Sequence, residues 1–456
     1  MARTAPLSTS DYDFCQRAAR AAFTNPFGEE FASLYPTLGT ECSRRVDELE
    51  RSGQARLGNY TGATREMMRM VLLFDTYERF RTVLDQLVVE QLARGDSPCP
   101  VPFAREVLSL LKQRGLPEEE ALRTFAIFFQ IRRAHHFIAH GLVGASRCMR
   151  EFRRHLWDNV FTHDIRVYER CLWDRMEDFS TLLLGETGTG KGTAAAAIGR
   201  SAFIPFDERK QQFAESFTRG FVSINLSQFP EALLESELFG HRKGAFTGAV
   251  EAHAGVFTRC SPHGAIFLDE IGEVSAPVQI KLLRVLQDRI FSPVGSHETV
   301  RFRGRVIAAT NKSVEELRGK NGFRDDFYYR LCSDTITVPP LRQRLREEPK
   351  ELDALLKYIV QRITGGAASE LLPLVHAGLS GAIERDYDWP GNVRELEQAV
   401  RRILVTRTYT AEASGREADR AFLDAWDARD AEIDRIYEIA KRDAEGPSVP
   451  VVQGGL

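Results

Sequence analysis

Thr181-Leu-Leu-Leu-Gly-Glu-Thr-Gly-Thr-Gly-Lys191 is a short apolar run, a glycine-rich turn and a lysine that opens an alanine-rich segment. The order strand, loop, helix is the setting a phosphate-binding loop requires. Glycines let backbone N–H groups approach phosphate oxygens, the helix N-terminus adds positive potential, and Lys191 can reach the β- and γ-phosphates. Gly185, Glu186, Thr187, Gly188, Thr189, Gly190 and Lys191 are therefore read as nucleotide ligands, with Gly192 and Thr193 directly after them. A glycine turn beside a surface lysine is the bland alternative, and the strand and helix on either side argue against it. The hydroxyl residue that usually follows the lysine and binds magnesium is replaced by Gly192, with Thr193 one place later.

Four more apolar runs, at 221–226, 265–268, 305–309 and 335–338, alternate with helical segments. Five strands with intervening helices predict a largely parallel sheet covered on both faces, an α/β fold that binds ligands beyond the carboxyl ends of its strands. Gly264-Ala-Ile-Phe-Leu-Asp-Glu270 ends one run in an acidic pair. Asp269 suits Mg²⁺, directly or through water, and Glu270 suits the polarisation of a water that attacks the γ-phosphate. Asn225 closes the second strand and Asn311 follows the fourth, at a shared edge from which both can reach the γ-phosphate or its water; alone, each would be an ordinary turn former. Arg324 and Arg330, six residues apart, are either a solvated basic surface or arginines supplied to a neighbouring subunit's γ-phosphate, a role worth roughly 10³–10⁵ in rate. In Trp389-Pro-Gly-Asn-Val-Arg-Glu-Leu396, Arg394 falls in the first turn of a helix, where the dipole disfavours a cation unless a phosphate is near.

Gly244-Ala-Phe-Thr-Gly-Ala249 lies between the phosphate loop and the acidic pair. Its two glycines permit backbone angles that other residues resist, so the segment is expected to be a loop with Phe246 and Thr247 at its tip. Such a tip is either tucked into a core or held out for a partner.

The chain has 456 residues, enough for two or three domains, and a net charge of −3 that favours neither nucleic acid nor an anionic membrane. No stretch is long and apolar enough for a bilayer span, and the start lacks the apolar core of a secretory signal, so a cytoplasmic location is expected. Seven cysteines are scattered without metal-ligand spacing. His135, His136 and His140 have no acidic or cysteine partner at suitable spacing, which argues against a metal site there. Residues 1–142 read as helical, with clear helices over 64–93 and after Pro117, the latter rich in phenylalanines expected in a core.

Together these motifs resemble one family: the sigma-54-dependent transcriptional activators, or NtrC-like bacterial enhancer-binding proteins, of the AAA+ class. The resemblance covers about residues 142–406. Its most specific element is Glu235-Ser-Glu-Leu-Phe-Gly-His241 leading into the Gly244–Ala249 loop, with Leu282-Leu-Arg-Val-Leu286, Ala309-Thr-Asn311 and Pro340-Leu-Arg342 in support. It implies an AAA+ P-loop NTPase with a five-stranded parallel sheet and a helical lid, preceded by an all-helical N-terminal domain. The expected boundaries are 1–142 for a regulatory domain, 143–343 for the α/β ATPase subdomain, 344–410 for the lid and 411–456 for a helical tail. The resemblance further implies ATP on Gly185–Lys191, Mg²⁺ at Asp269 and Thr193, and Asp269 with Glu270 as the Walker B pair. Asn225 would be the switch that senses Glu270, Asn311 sensor I, Arg394 sensor II, and Arg324 with Arg330 the trans-acting fingers of a hexamer. Gly244, Ala245, Phe246, Thr247, Gly248 and Ala249 would engage sigma-54 in the RNA polymerase holoenzyme, remodelled at the expense of ATP to open promoters. Burying one Phe is worth roughly 1.5–3 kcal/mol, so a ring presenting several such loops suits the task better than one loop.

Four features depart from the family pattern. Gly192 stands where the family usually carries Glu. The segment between Met149 and the first strand is long and is expected to place Trp157 to Trp173 beside the adenine pocket. Pro293 precedes Val294-Gly295 where the family generally has Arg. Residues 421–444 offer a single charged helix and no helix-turn-helix, so direct sequence-specific DNA binding is not expected. Two other readings fit the same motifs: a signal-responsive AAA+ switch or scaffold with weak turnover, and an AAA+ remodeller of a different protein.

Overall fold

Five helices open the chain in the computed structural model, which describes residues 9–320, 322–366, 368–380 and 387–409. They are α1 (Thr9–Phe23), α2 (Glu29–Arg51), α3 (Gly62–Arg94), α4 (Ala104–Gln113) and α5 (Glu118–Gly141). The long α3 ends where Gly95 takes a left-handed φ of 74°. Three glutamates open α5 and favour its positive end. Phe125, Phe128 and Phe129 are buried, as expected, in a core shared with Val71, Leu84 and Leu108. That core continues into a small hairpin (Phe206–Asp207 with Gln212–Phe213), where Phe129 stacks on Phe213 at 4.3 Å.

The second half of α5 leaves this bundle and, with α6 (Arg147–Phe161), covers one face of the sheet. Its register against the next helix, α7 (Lys191–Gly199), is fixed by buried polar contacts just past the end of α7. Arg133 donates to the carbonyls of Arg200 (2.9 Å) and Ala202 (2.8 Å), and Gln130 donates to that of Ser201 (2.8 Å). Carbonyls past a helix C-terminus have no intrahelical partner, so a cation is well placed there.

The sheet contains β1 (Thr181–Leu184), β2 (Phe221–Asn225), β3 (Ala265–Asp269), β4 (Arg305–Thr310) and β5 (Asp334–Thr337). All pairings are parallel, in the order β2-β3-β4-β1-β5. Successive side chains point to opposite faces. Leu182, Ile266, Leu268, Val306 and Ala308 therefore join one core, with α8 (Glu231–Phe239), α9 (Ala276–Asp288) and α10 (Asp325–Leu331). Leu183, Ala265, Phe267, Ile307 and Ala309 join the other, with α5, α6 and the alanines of α7. Burial on both sides is why these strands read as continuous apolar runs.

A lid follows, built from α11 (Leu341–Glu347), α12 (Glu351–Thr364), α13 (Ala368–Ser380) and α14 (Asn392–Thr406) around Leu356, Ile359, Leu396 and Val400. The fold is thus α/β, with a five-stranded parallel sheet, a helical lid and a helical N-terminal region. No helix among the described residues is long and apolar enough to cross a membrane. The helix expected over 421–444 and the rest of the 411–456 tail lie outside the described residues.

Candidate functional site

The carboxyl end of β1 runs into the glycine turn, and α7 begins at Lys191. A cleft of about 310 Å³ opens there, lined by residues 187–193, Asp269, Glu270 and Arg394. The chain reaches this geometry through local constraints. Gly190 is left-handed (φ 104°), and a Cβ on Gly188 (φ 80°) would run into the Gly391 carbonyl oxygen at the start of α14. Only glycine lets the phosphate loop and the lid approach so closely.

Lys191 is almost completely buried, and its Nζ donates to the carbonyls of Gly185 (2.8 Å) and Glu186 (3.2 Å). Burial pushes its pKa down; the carboxylates of Glu270 and Asp269 pull it back up, and Arg394 opposes them. Asp269 ends β3, and its Oδ1 accepts from the Glu270 N–H at 3.1 Å. Glu270 itself is left-handed (φ 56°), which turns the chain sharply off the strand. The Arg394 N–H donates to the Gly188 carbonyl at 3.3 Å, fixing the first turn of α14 against the phosphate loop. Two basic side chains, two carboxylates and a loop rich in free N–H groups suit a polyphosphate carrying a divalent cation. Thr193 lines the same cleft, one residue beyond the exposed Gly192.

Three contacts to the phosphate loop were not foreseen from sequence. Arg342 binds both oxygens of Glu186, with Nη1 to Oε2 at 2.7 Å. The buried Asn392 donates from Nδ2 to Glu186 Oε2 and to the Thr187 carbonyl, both at 3.1 Å, while its Oδ1 accepts from the Leu341 N–H at 2.8 Å. The Arg342 guanidinium holds the Glu186 carboxyl below its ordinary pKa. Opposite the acidic pair, the cleft wall is made by Leu142, Val143, Met149 and Phe152 from the α5–α6 junction, with Tyr358 from the lid.

Other expected site residues lie at the edges. Asn225 stands in register with Asp269 across β2 and β3, and its Oδ1 accepts from Ser227 N–H (3.0 Å) and Oγ (2.8 Å). Asn311 is exposed directly after β4. Arg324 is exposed and paired with Asp326 at 2.9 Å, whereas Arg330 donates to the Leu286 carbonyl at 3.0 Å. None of these four lines the protomer's own cleft. One expectation is corrected. Trp157 and Trp173 do not border the nucleotide cleft: Trp157 packs between α6 and the N-terminal helices, and Trp173 meets Phe203 at 4.7 Å. The phase of α6 turns Met149 and Phe152 to the cleft instead.

The segment from Gly244 to Ala249 is a closed turn, its ends joined by the Gly244 N–H to the Ala249 carbonyl at 2.8 Å. Gly244 (φ 80°) and Gly248 (φ 102°) are left-handed. Phe246 is 37% exposed and meets the His241 ring edge-on at 4.9 Å; Thr247 is exposed.

A family model described as the Sigma-54 interaction domain matches residues 165–337, which contain the phosphate loop, the acidic pair and this loop. This part of the chain is similar to the sigma-54-dependent activators of the AAA+ class. The chain is 44% identical to the Nif-specific regulatory protein of Azotobacter vinelandii over 53% of its own length and 42% of that protein's. It is 35% identical to the regulatory protein AtoC of Escherichia coli K12, over 55% of this chain and 50% of that one. The chain thus spans half or less of the length of these relatives. Among solved structures, NtrX from Brucella abortus aligns with 20% identity and a TM-score of 0.43, over 69% of this chain and 65% of that one.

Proposed function

We propose that the protein is an ATPase that uses nucleotide turnover to move the Phe246–Thr247 tip against sigma-54 in the RNA polymerase holoenzyme, permitting promoter opening. The observation that carries this reading is the tip itself: an aromatic ring and a hydroxyl presented on a turn closed by two left-handed glycines.

The roles of the cleft residues follow from their chemistry. The N–H groups of 185–191 and the Lys191 ammonium hold the β- and γ-phosphates, and Glu270 polarises the attacking water. Asp269 and Thr193 would hold Mg²⁺, which, when bound, neutralises charge on the phosphate oxygens. Arg394 faces the cleft from the lid and can sense the γ-phosphate; Asn225 and Asn311 sit at strand ends beside it. Arg324 and Arg330 lie outside their own protomer's cleft, which supports a role at a neighbour's γ-phosphate in a ring, most simply a hexamer. Residues 9–142 would regulate the motor, since their last helix forms part of the cleft wall.

Transcription in vitro from a sigma-54 promoter tests the reading. Thr247→Ala should hydrolyse ATP at the normal rate yet fail to activate; activation by that variant would remove the loop from the mechanism.

A further inference from the structure

A second cavity, of about 210 Å³, lies among α1, α2, α3, α5 and α6, and shares no lining residue with the nucleotide cleft. Phe31, Tyr35, Phe74, Tyr77, Phe128 and Trp157 are the aromatic rings in its walls. Dry protein cavities of roughly 150 Å³ accept benzene, so a substituted ring fits this one by size.

The polar groups narrow the ligand class. Charged side chains around the cavity already have partners: Arg132 binds both oxygens of Asp85 (2.7 and 2.9 Å), and Glu169 accepts from Arg69 at 2.6 Å. Two buried polar atoms on its lining residues have none among the described residues. Thr124 Oγ1 is one, on a side chain only 2% exposed, and His135 Nδ1 is the other. Leaving a buried hydroxyl unpaired costs roughly 1–3 kcal/mol, a cost that a ligand's hydrogen bond would remove. Burial also pushes His135 down to about 4, so its imidazole is neutral at pH 7 and adds no charge to the cavity.

We propose that this cavity is a receptor site for a small neutral aromatic molecule carrying a hydrogen-bonding group, and that α5 and α6 transmit its occupancy to the nucleotide cleft. Each helix borders both sites. Along α5, Thr124, Phe128 and His135 line the cavity, and Gly141 at its end lines the cleft; along α6 the order reverses, from Met149 and Phe152 in the cleft to Trp157 and Asp158 at the cavity. The junction between them is fastened to the lid. Ala145 and Ser146 N–H groups donate to Glu351 Oε2 (2.9 and 2.7 Å), and the Cys148 N–H donates to Glu347 Oε2 at 2.7 Å. A ligand that shifts α5 against α6 therefore shifts the cleft wall and the lid together. Such coupling is reciprocal: whatever factor the ligand imposes on ATP affinity, ATP imposes on the ligand. The binding half of the inference is independent of the ATPase reading; the coupling half rests on it.

Titration calorimetry of the full chain without nucleotide, using phenol and indole as probes and benzoate as a charged counterpart, tests the binding half. Saturable binding of phenol or indole, one per chain, is expected, with benzoate far weaker. Thr124→Val should weaken binding about tenfold, and Ala22→Phe, which fills the cavity from α1, should abolish it. If Ala22→Phe does not fold, Thr124→Val decides alone. No saturable binding by either neutral probe, indifference to Thr124→Val, or equal binding of benzoate overturns the site. The bound probe should then change the Kd for ATP several-fold in wild type and not in Thr124→Val at the same probe concentration. An unchanged Kd overturns the coupling. Failure of the chain to bind ATP at all would count against the ATPase reading and leave the cavity result standing.

Discussion

Asn392 and Glu186 tie the lid to the phosphate loop: Asn392 Nδ2 donates to Glu186 Oε2 at 3.1 Å, and Arg342 holds the same carboxylate from α11, another helix of the lid. Glu186 is an anion inside the loop proposed to receive a polyphosphate, so its charge needs cancelling. Arg342 does this, and at the same time joins lid position to loop conformation.

Arg342→Ala should therefore raise the Kd for ATP by about tenfold. Both side chains are partly exposed, which keeps the effect near 1–2 kcal/mol. Adding Glu186→Gln should recover much of the loss, because the uncompensated charge goes with it. A Kd unchanged by Arg342→Ala, measured by titration calorimetry, would show that the pair only decorates the surface.

The exposed tip should be separable from the fold. Phe246 is exposed and meets the His241 ring edge-on, so Phe246→Ala is expected to change stability by no more than about 1 kcal/mol. Binding to sigma-54 in the presence of a transition-state nucleotide analogue should nonetheless disappear. Retained binding in a pull-down would assign the contact to another surface.

The proposed ring, with fingers acting in trans, makes a mixing experiment decisive. Arg324→Ala and Glu270→Gln should each abolish hydrolysis alone, by roughly 10³-fold or more for the arginine. Mixed before assembly, some interfaces pair an intact finger with an intact Glu270, and ATPase should partly return. No return on mixing would place Arg324 outside any neighbour's site. Arg324 is the better probe of the two arginines, since Arg330 also anchors the Leu286 carbonyl and its loss would disturb α9.

Acid should weaken the N-terminal helices. His135 is ordinarily protonated below 6.5, but burial brings it down to about 4. Between those values the unfolded chain binds the extra proton and the folded chain does not, so stability falls as pH drops through that window. The full loss is on the order of 3 kcal/mol, and His135→Phe should remove most of it. Denaturant titrations at pH 7 and pH 4.5 read the difference directly; an equal pH dependence in both proteins would contradict this origin.

Much of the α/β core was legible in the sequence because its signals are local. The alternation of Leu182 and Leu183 between two cores follows from strand geometry, and Lys191, Asp269 and Glu270 line one cleft because parallel strands deliver their carboxyl ends to one edge, while Arg394 reaches it from the lid. What stayed hidden depends on distant contacts. Arg342 and Asn392 reach Glu186 across 156 and 206 residues, and no spacing rule links them. Trp157 was misplaced because the phase of α6, set by packing against α5 and the sheet, decides which of its aromatics meets the cleft. The second cavity was invisible for a similar reason: Phe74, Phe128 and Trp157 have the pattern of core residues, and only packing shows that they leave a space.

The central claim is that hydrolysis drives polymerase remodelling. It is tested most directly by counting heparin-resistant open complexes formed by sigma-54 holoenzyme on its promoter, with wild type or Glu270→Gln in ATP. Open complexes with wild type and none with Glu270→Gln, although that variant still binds ATP, is the expected result. Open complexes formed equally well by Glu270→Gln, or none formed by a wild-type protein that hydrolyses ATP, would contradict it.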